Sequence, residues 1–164
     1  MRYFIELRYD GTAYCGWQRQ KSAPSVQQCI EQGLSTLLRC PTEIVGAGRT
    51  DTGVHASYYV AHFDAALPIA DTASFAYHLN AILPRDIAVM SISQVNDEAH
   101  ARFDAVRREY RYRIEPKKNP FTRAHAWQYY VALDVETMNK AAARLFDFED
   151  FTSFAKLNSN NTTN

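Results

Sequence analysis

Residues 3–9, YFIELRY, set Tyr3, Ile5, Leu7 and Tyr9 on one side of an extended backbone and Phe4, Glu6 and Arg8 on the other. An alternation of period two reads as a half-buried strand. Asp10-Gly11 ends it with turn chemistry. The next periodic stretch is APSVQQCIEQGLSTLLRC, residues 23–40. It opens with a capping box, Ser25 followed three residues later by Gln28. Val26, Ile30, Leu34, Leu37 and Leu38 then fall on one helical face. Residues 42–45 form a short β-prone run, and HASYYVAHF, 55–63, reads as a strand beside it. Asp71 is placed to N-cap a helix carrying Phe75, Leu79 and Ile82, which stops before Pro84. Residues 87–95 are another strand. The predicted order is β-α-β-β-α-β, the ferredoxin-like (RRM-like) α+β unit with a mostly antiparallel sheet.

A second unit is predicted to start near residue 105, giving domains of 1–104 and 105–164. Residues 106–114 alternate as a strand, with Arg108, Tyr110 and Tyr112 on one face and Arg107, Glu109, Arg111 and Arg113 on the other. AWQYYVAL reads as a further strand. Residues 134–146 read as a helix with Val135, Met138, Ala142, Leu145 and Phe146 facing inward. A polar stretch, KLNSNNTTN, follows. One strand pair and one helix leave an apolar face uncovered, so the second α/β unit is expected to be incomplete and the chain to be a fragment.

Composition bounds the rest. The 164 residues suit one large domain or two small ones. Apolar residues make up 46%, which permits a packed core and argues against wholesale disorder. Aromatics reach 13%, enough to supply both a core and rings that stack on flat ligands. No signal-like segment opens the chain, and no run approaches a membrane span. Cys15, Cys29 and Cys40 show no CxxC pairing and read as reduced thiols of a cytoplasmic protein. The formal net charge is zero, but residues 102–123 carry eight basic side chains against three acidic ones. Such a stripe suits an anionic partner such as RNA, or a salt-bridged solvated face.

The chemistry concentrates in GAGRTDTGVH, residues 46–55. A dinucleotide-binding G-x-G-x-x-G fails, because Asp51 stands at the third glycine position. Asp51-Thr52-Gly53 matches the D-T-G of aspartic proteases, whose carboxylates work in pairs drawn from two lobes or chains. A third reading is a single carboxylate, Asp51, on a strand-to-strand loop, with Arg49 nearby to hold an anion. The plain alternative is a turn in which Asp51 bonds its own loop.

YDGTAYCGWQRQ, GAGRTDTGVHA, HARFDA, REYRYRI and DFTSF occur in the order and approximate spacing of the TruA-type tRNA pseudouridine synthases. The chain resembles that family from Arg2 to about Phe154. The resemblance implies an isomerase that converts uridine to pseudouridine in the anticodon stem-loop of tRNA, with no metal or organic cofactor. It implies that Asp51 is the catalytic carboxylate and Tyr110 the active-site tyrosine that stacks on the uracil. The target base is expected to leave its stack, with Arg102 as the side chain that intercalates or contacts phosphate. Arg107, Arg108, Arg111 and Arg113 are the expected RNA contacts. His55 and His100 are expected to shape their loops, and Trp17 to pack. In the family the arginine that pairs with the aspartate comes from a C-terminal half not present in these 164 residues, and members are homodimers. The chain alone is therefore expected to turn over tRNA negligibly. The competing class is a catalytically silent tRNA-binding module; an RRM is disfavoured, because its RNP1 run is missing.

Overall fold

The computed structural model describes residues 1–21 and 23–154. The polar stretch at 156–164 lies outside the described residues. The chain divides into two compact units, Met1–Tyr110 and a second beginning at Arg111.

The first unit follows the predicted order: β1 (Arg2–Tyr9), α1 (Val26–Leu38), β2 (Ile44–Gly46), β3 (Ala56–Asp64), α2 (Thr72–Ile82) and β4 (Ile87–Val95). The sheet runs β2-β3-β1-β4, and every neighbouring pair is antiparallel. Tyr3, Ile5, Leu7 and Tyr9 are all buried, as period two requires. They meet Val26, Ile30 and Leu34 of α1, Ala76 and Leu79 of α2, and Ala61 and Phe63 of β3 in one core. Burying each of the larger aliphatic side chains contributes about 1.5–3 kcal/mol.

Local chemistry sets the helix starts. Ser25 Oγ accepts from the Gln28 N–H at 3.3 Å, and Asp71 Oδ1 accepts from Ser74 N–H at 2.9 Å. The short strand β2 is tied to α1 by Glu31. This buried carboxylate accepts from Ile44 N–H at 3.2 Å and pairs with the Arg19 guanidinium. The charge is thereby both paired and hydrogen-bonded, which its burial requires.

The stretch beyond residue 104 departs from the sequence reading. Residues 105–113 adopt no regular structure, and among the described residues of the second unit only Ile114–Glu115 (β5) and Trp127–Gln128 (β6) pair, in parallel. An alternating pattern is not sufficient for a strand, because its N–H and C=O groups need a neighbouring chain. Among the described residues, 106–112 have no such ladder; Arg113 O accepts from Trp127 N–H at 2.8 Å at the edge of the short strand pair. The helix α3 spans Val135–Ala143, N-capped by Asp134, and a 3₁₀ turn continues to Asp147. Val135, Met138, Ala142, Leu145 and Phe146 were expected to face inward; all five are exposed. A two-residue strand pair offers no sheet face for them to cover.

Candidate functional site

β2 ends at Gly46 and β3 begins at Ala56, so residues 47–55 form the loop that carries Arg49, Asp51 and His55. The base of the loop is held from two sides. The Tyr59 hydroxyl, buried, donates to Gly48 O and accepts from Gly48 N–H at 3.4 Å. The exposed Arg108 guanidinium donates to Ala47 O from Nη2 at 2.8 Å and from Nε at 3.3 Å. Farther along, Thr50 O accepts from Trp17 N–H at 3.2 Å, and Gly53 N–H donates to Tyr14 O at 3.2 Å. Thr50 Oγ1 lies 3.1 Å from the Tyr9 hydroxyl.

Gly16 makes the approach of the 14–17 segment possible. Its φ is +84°, and a Cβ there would stand 2.1 Å from Thr50 O. Beneath the loop the rings of Tyr9, Trp17 and Tyr59 pack together, with Trp17 and Tyr59 centroids 4.3 Å apart. Trp17 is buried beneath the loop, where it packs rather than facing solvent.

Asp51 and Arg49 are exposed. The loop is shaped by Thr50, Gly53 and the Asp51 backbone carbonyl, which accepts from Val54 N–H at 3.2 Å. Among the described residues, no hydrogen bond of the Asp51 carboxylate contributes to the turn. His55 Nδ1 lies 3.1 Å from Gly11 N and 3.0 Å from Asp10 Oδ1. One nitrogen cannot serve both: bare, it accepts from Gly11; protonated, it donates to Asp10. In either state it fastens the loop to the end of β1.

Arg102 stands on a turn built around His100. His100 Nδ1 accepts from Arg102 N–H at 3.2 Å, and Asp104 Oδ2 accepts from His100 N–H at 2.7 Å. The same turn is held to β3 by His62, whose Nδ1 accepts from Ala101 N–H at 3.1 Å. Burial, aided by the nearby Arg2 charge, lowers the His62 pKa to about 4, so its ring is neutral and able to accept. Arg102 is exposed, its guanidinium carbon 5.9 Å from the Phe103 ring centre.

Tyr110 is 68% exposed. Its phenol nonetheless raises the pKa of both Tyr9 and Tyr59, whose larger upward shifts come from burial. Arg107 pairs with Glu109 at 2.8 Å. Arg108 Nη2 also donates to Arg102 O at 2.9 Å. Arg111 and Arg113 are exposed in the second unit.

Sequence reasoning missed the parts played by Gly16, Tyr59 and His62. The signal for His62 was present: a histidine inside the apolar run VAHF, on the strand face away from Ala61 and Phe63.

A family model for tRNA pseudouridine synthase matches residues 7–104, which include the Asp51 loop and the Arg102 turn. The chain is 52% identical to tRNA pseudouridine synthase A of Bacteroides thetaiotaomicron, over 99% of this chain and 60% of that protein. It is 50% identical to the protein of that name from Bacteroides fragilis, over 99% of this chain and 65% of that one. The corresponding protein of Maricaulis maris is 42% identical, over 93% of this chain and 62% of its own length. The chain thus spans about three fifths of the length of these relatives. With the motif loop and the turn both inside the matched stretch, the chain belongs to the tRNA pseudouridine synthase family.

Proposed function

We propose that this chain carries the catalytic carboxylate of an enzyme that isomerises uridine to pseudouridine in the anticodon stem-loop of tRNA. The observation that carries the reading is Asp51: an exposed carboxylate on a loop whose shape other groups maintain. The reaction breaks the N1–C1′ bond, turns the uracil and joins C5 to C1′. The C5 proton is lost and N1 gains one, so atoms balance without a redox partner. A single carboxylate suffices, as a nucleophile at the sugar or base or as a base at the 2′ position. Tyr110 is the ring on which the detached uracil stacks. Arg102, on its rigid turn, fills the space left by the extruded base or holds its phosphate. Arg49 is the local cation for an anion near Asp51; in the longer relatives' family a further arginine is expected to pair with the carboxylate. Arg107, Arg111 and Arg113 supply phosphate contacts; Arg108, of the same stripe, is turned to the carbonyls of Ala47 and Arg102. Assembly as a homodimer follows from the family resemblance.

Asp51→Asn, in a full-length synthase carrying this sequence, tests the reading. Pseudouridine formation is expected to vanish, while tRNA affinity in a gel shift stays within a few-fold. Turnover within about tenfold of the parent, a loss under about 1.4 kcal/mol, would remove Asp51 from the chemistry. Binding without turnover in the parent would favour the silent module.

A further inference from the structure

We infer that Arg108 is a positioning residue that fastens the Asp51 loop to the Arg102 turn. One nitrogen, Nη2, donates both to Ala47 O at 2.8 Å and to Arg102 O at 2.9 Å. Nε adds a second bond to Ala47 O at 3.3 Å. The side chain lies over Gly48, with Nε 3.5 Å from where a Cβ would stand. Tyr59 grips the same glycine, its hydroxyl bonded to both Gly48 N–H and Gly48 O.

Each of the two segments is braced separately. Tyr59, Tyr9 and Trp17 hold the loop; His62 and His100 hold the turn. Both sets are rooted in β3, the loop through Tyr59 and the turn through His62. Arg108 adds a direct bridge on top of that strand, because a planar guanidinium with donors along its edge can satisfy two carbonyls at once, which a single ammonium point charge does less well. If Arg102 extrudes a base toward Asp51, the distance between the two segments governs how often the sugar reaches the carboxylate. The effect on turnover rests on the function proposed above; the link between the two segments does not. Composition alone would assign this arginine to phosphate binding, so the two roles must be separated.

Arg108→Ala and Arg108→Lys in the full chain separate them. Amide hydrogen exchange is read at residues 47–55 and 100–104, with β1 amides as the control for global unfolding. Exchange is expected to quicken in both segments together in the Ala variant, with partial recovery in the Lys variant and β1 unchanged. The slope of log affinity for tRNA against log salt is expected to stay constant, and kcat to fall more than KM changes. A salt slope reduced by about 0.7–0.9 with unchanged exchange would make Arg108 a phosphate contact and overturn the inference. Faster exchange in one segment only would overturn it too. Should the parent form no pseudouridine, the proposed function fails by itself, and the exchange pattern still decides the latch.

Discussion

The Tyr9 hydroxyl stands 3.1 Å from Oγ1 of Thr50, joining the end of the central strand β1 to the residue before Asp51. The phenol is buried. Tyr9→Phe removes the bond and leaves the Thr50 hydroxyl against a ring. The expected cost is about 0.5–1.5 kcal/mol in denaturant unfolding. Turnover is expected to fall further than tRNA affinity, because the loop is displaced rather than the RNA-binding surface. Equal losses in both would mean that Tyr9 does not position Asp51.

Gly16→Ala and Gly53→Ala make a matched pair. Both glycines have positive φ, +84° and +77°. At Gly53 a Cβ would meet nothing within 4 Å, whereas at Gly16 it would strike Thr50 O. Backbone strain alone costs about 1–3 kcal/mol, so Gly53→Ala should lose about that much. Gly16→Ala should lose more and also shift the Asp51 loop. Thermal or denaturant unfolding checks the order; equal losses would show that the 14–17 segment can retreat at little cost.

His62 gives a pH signature. Its pKa falls from 6.5 to about 4 in the folded chain, through burial first and then the Arg2 and His100 charges, against Asp64 and Asp104. The unfolded chain therefore binds a proton at a higher pH than the folded one. The stability this contributes is complete above about pH 6.5 and is lost as pH falls toward 4. At about 1.4 kcal/mol per pH unit the loss reaches up to about 3 kcal/mol. His62→Asn should flatten the parent's stability curve across that window. Parallel curves for parent and variant would show that some other group titrates there.

The basic stripe makes a prediction in salt. Each phosphate contact removed should lower the log-log salt slope by about 0.7–0.9. Arg107→Ala, Arg111→Ala and Arg113→Ala combined should therefore flatten it, with Arg107 giving least because Glu109 already pairs with it. An unchanged slope would place the RNA on another surface.

Much of this could be read from sequence, and the parts that could not have physical reasons. The four strands and two helices of the first unit were legible because burial writes itself locally: every second residue from Tyr3 to Tyr9, and a capping serine or aspartate before each helix. Asp51 was legible as a candidate because turn residues surround a carboxylate that the turn does not need. Residues 106–113 were misread because pairing is a property of two segments, and alternation describes only one. Arg108 was grouped with its charged neighbours by composition. Its partners are carbonyls of Ala47 and Arg102, and a backbone carbonyl carries no sequence signature. Gly16 was passed over for the same reason, since the atom it makes room for is the oxygen of Thr50.

The protein has two tryptophans, Trp17 and Trp127. Trp127 is 60% exposed in the second unit, while Trp17 is buried under the Asp51 loop and its backbone N–H bonds Thr50. Trp127→Phe therefore leaves a single indole emitter beneath the loop, with the Tyr9 and Tyr59 rings close enough to pass excitation to it. Its fluorescence is an internal optical gauge. Blue-shifted emission and poor quenching by acrylamide report a closed loop. A change in either on adding tRNA would report on the loop's packing over Trp17 with no label attached.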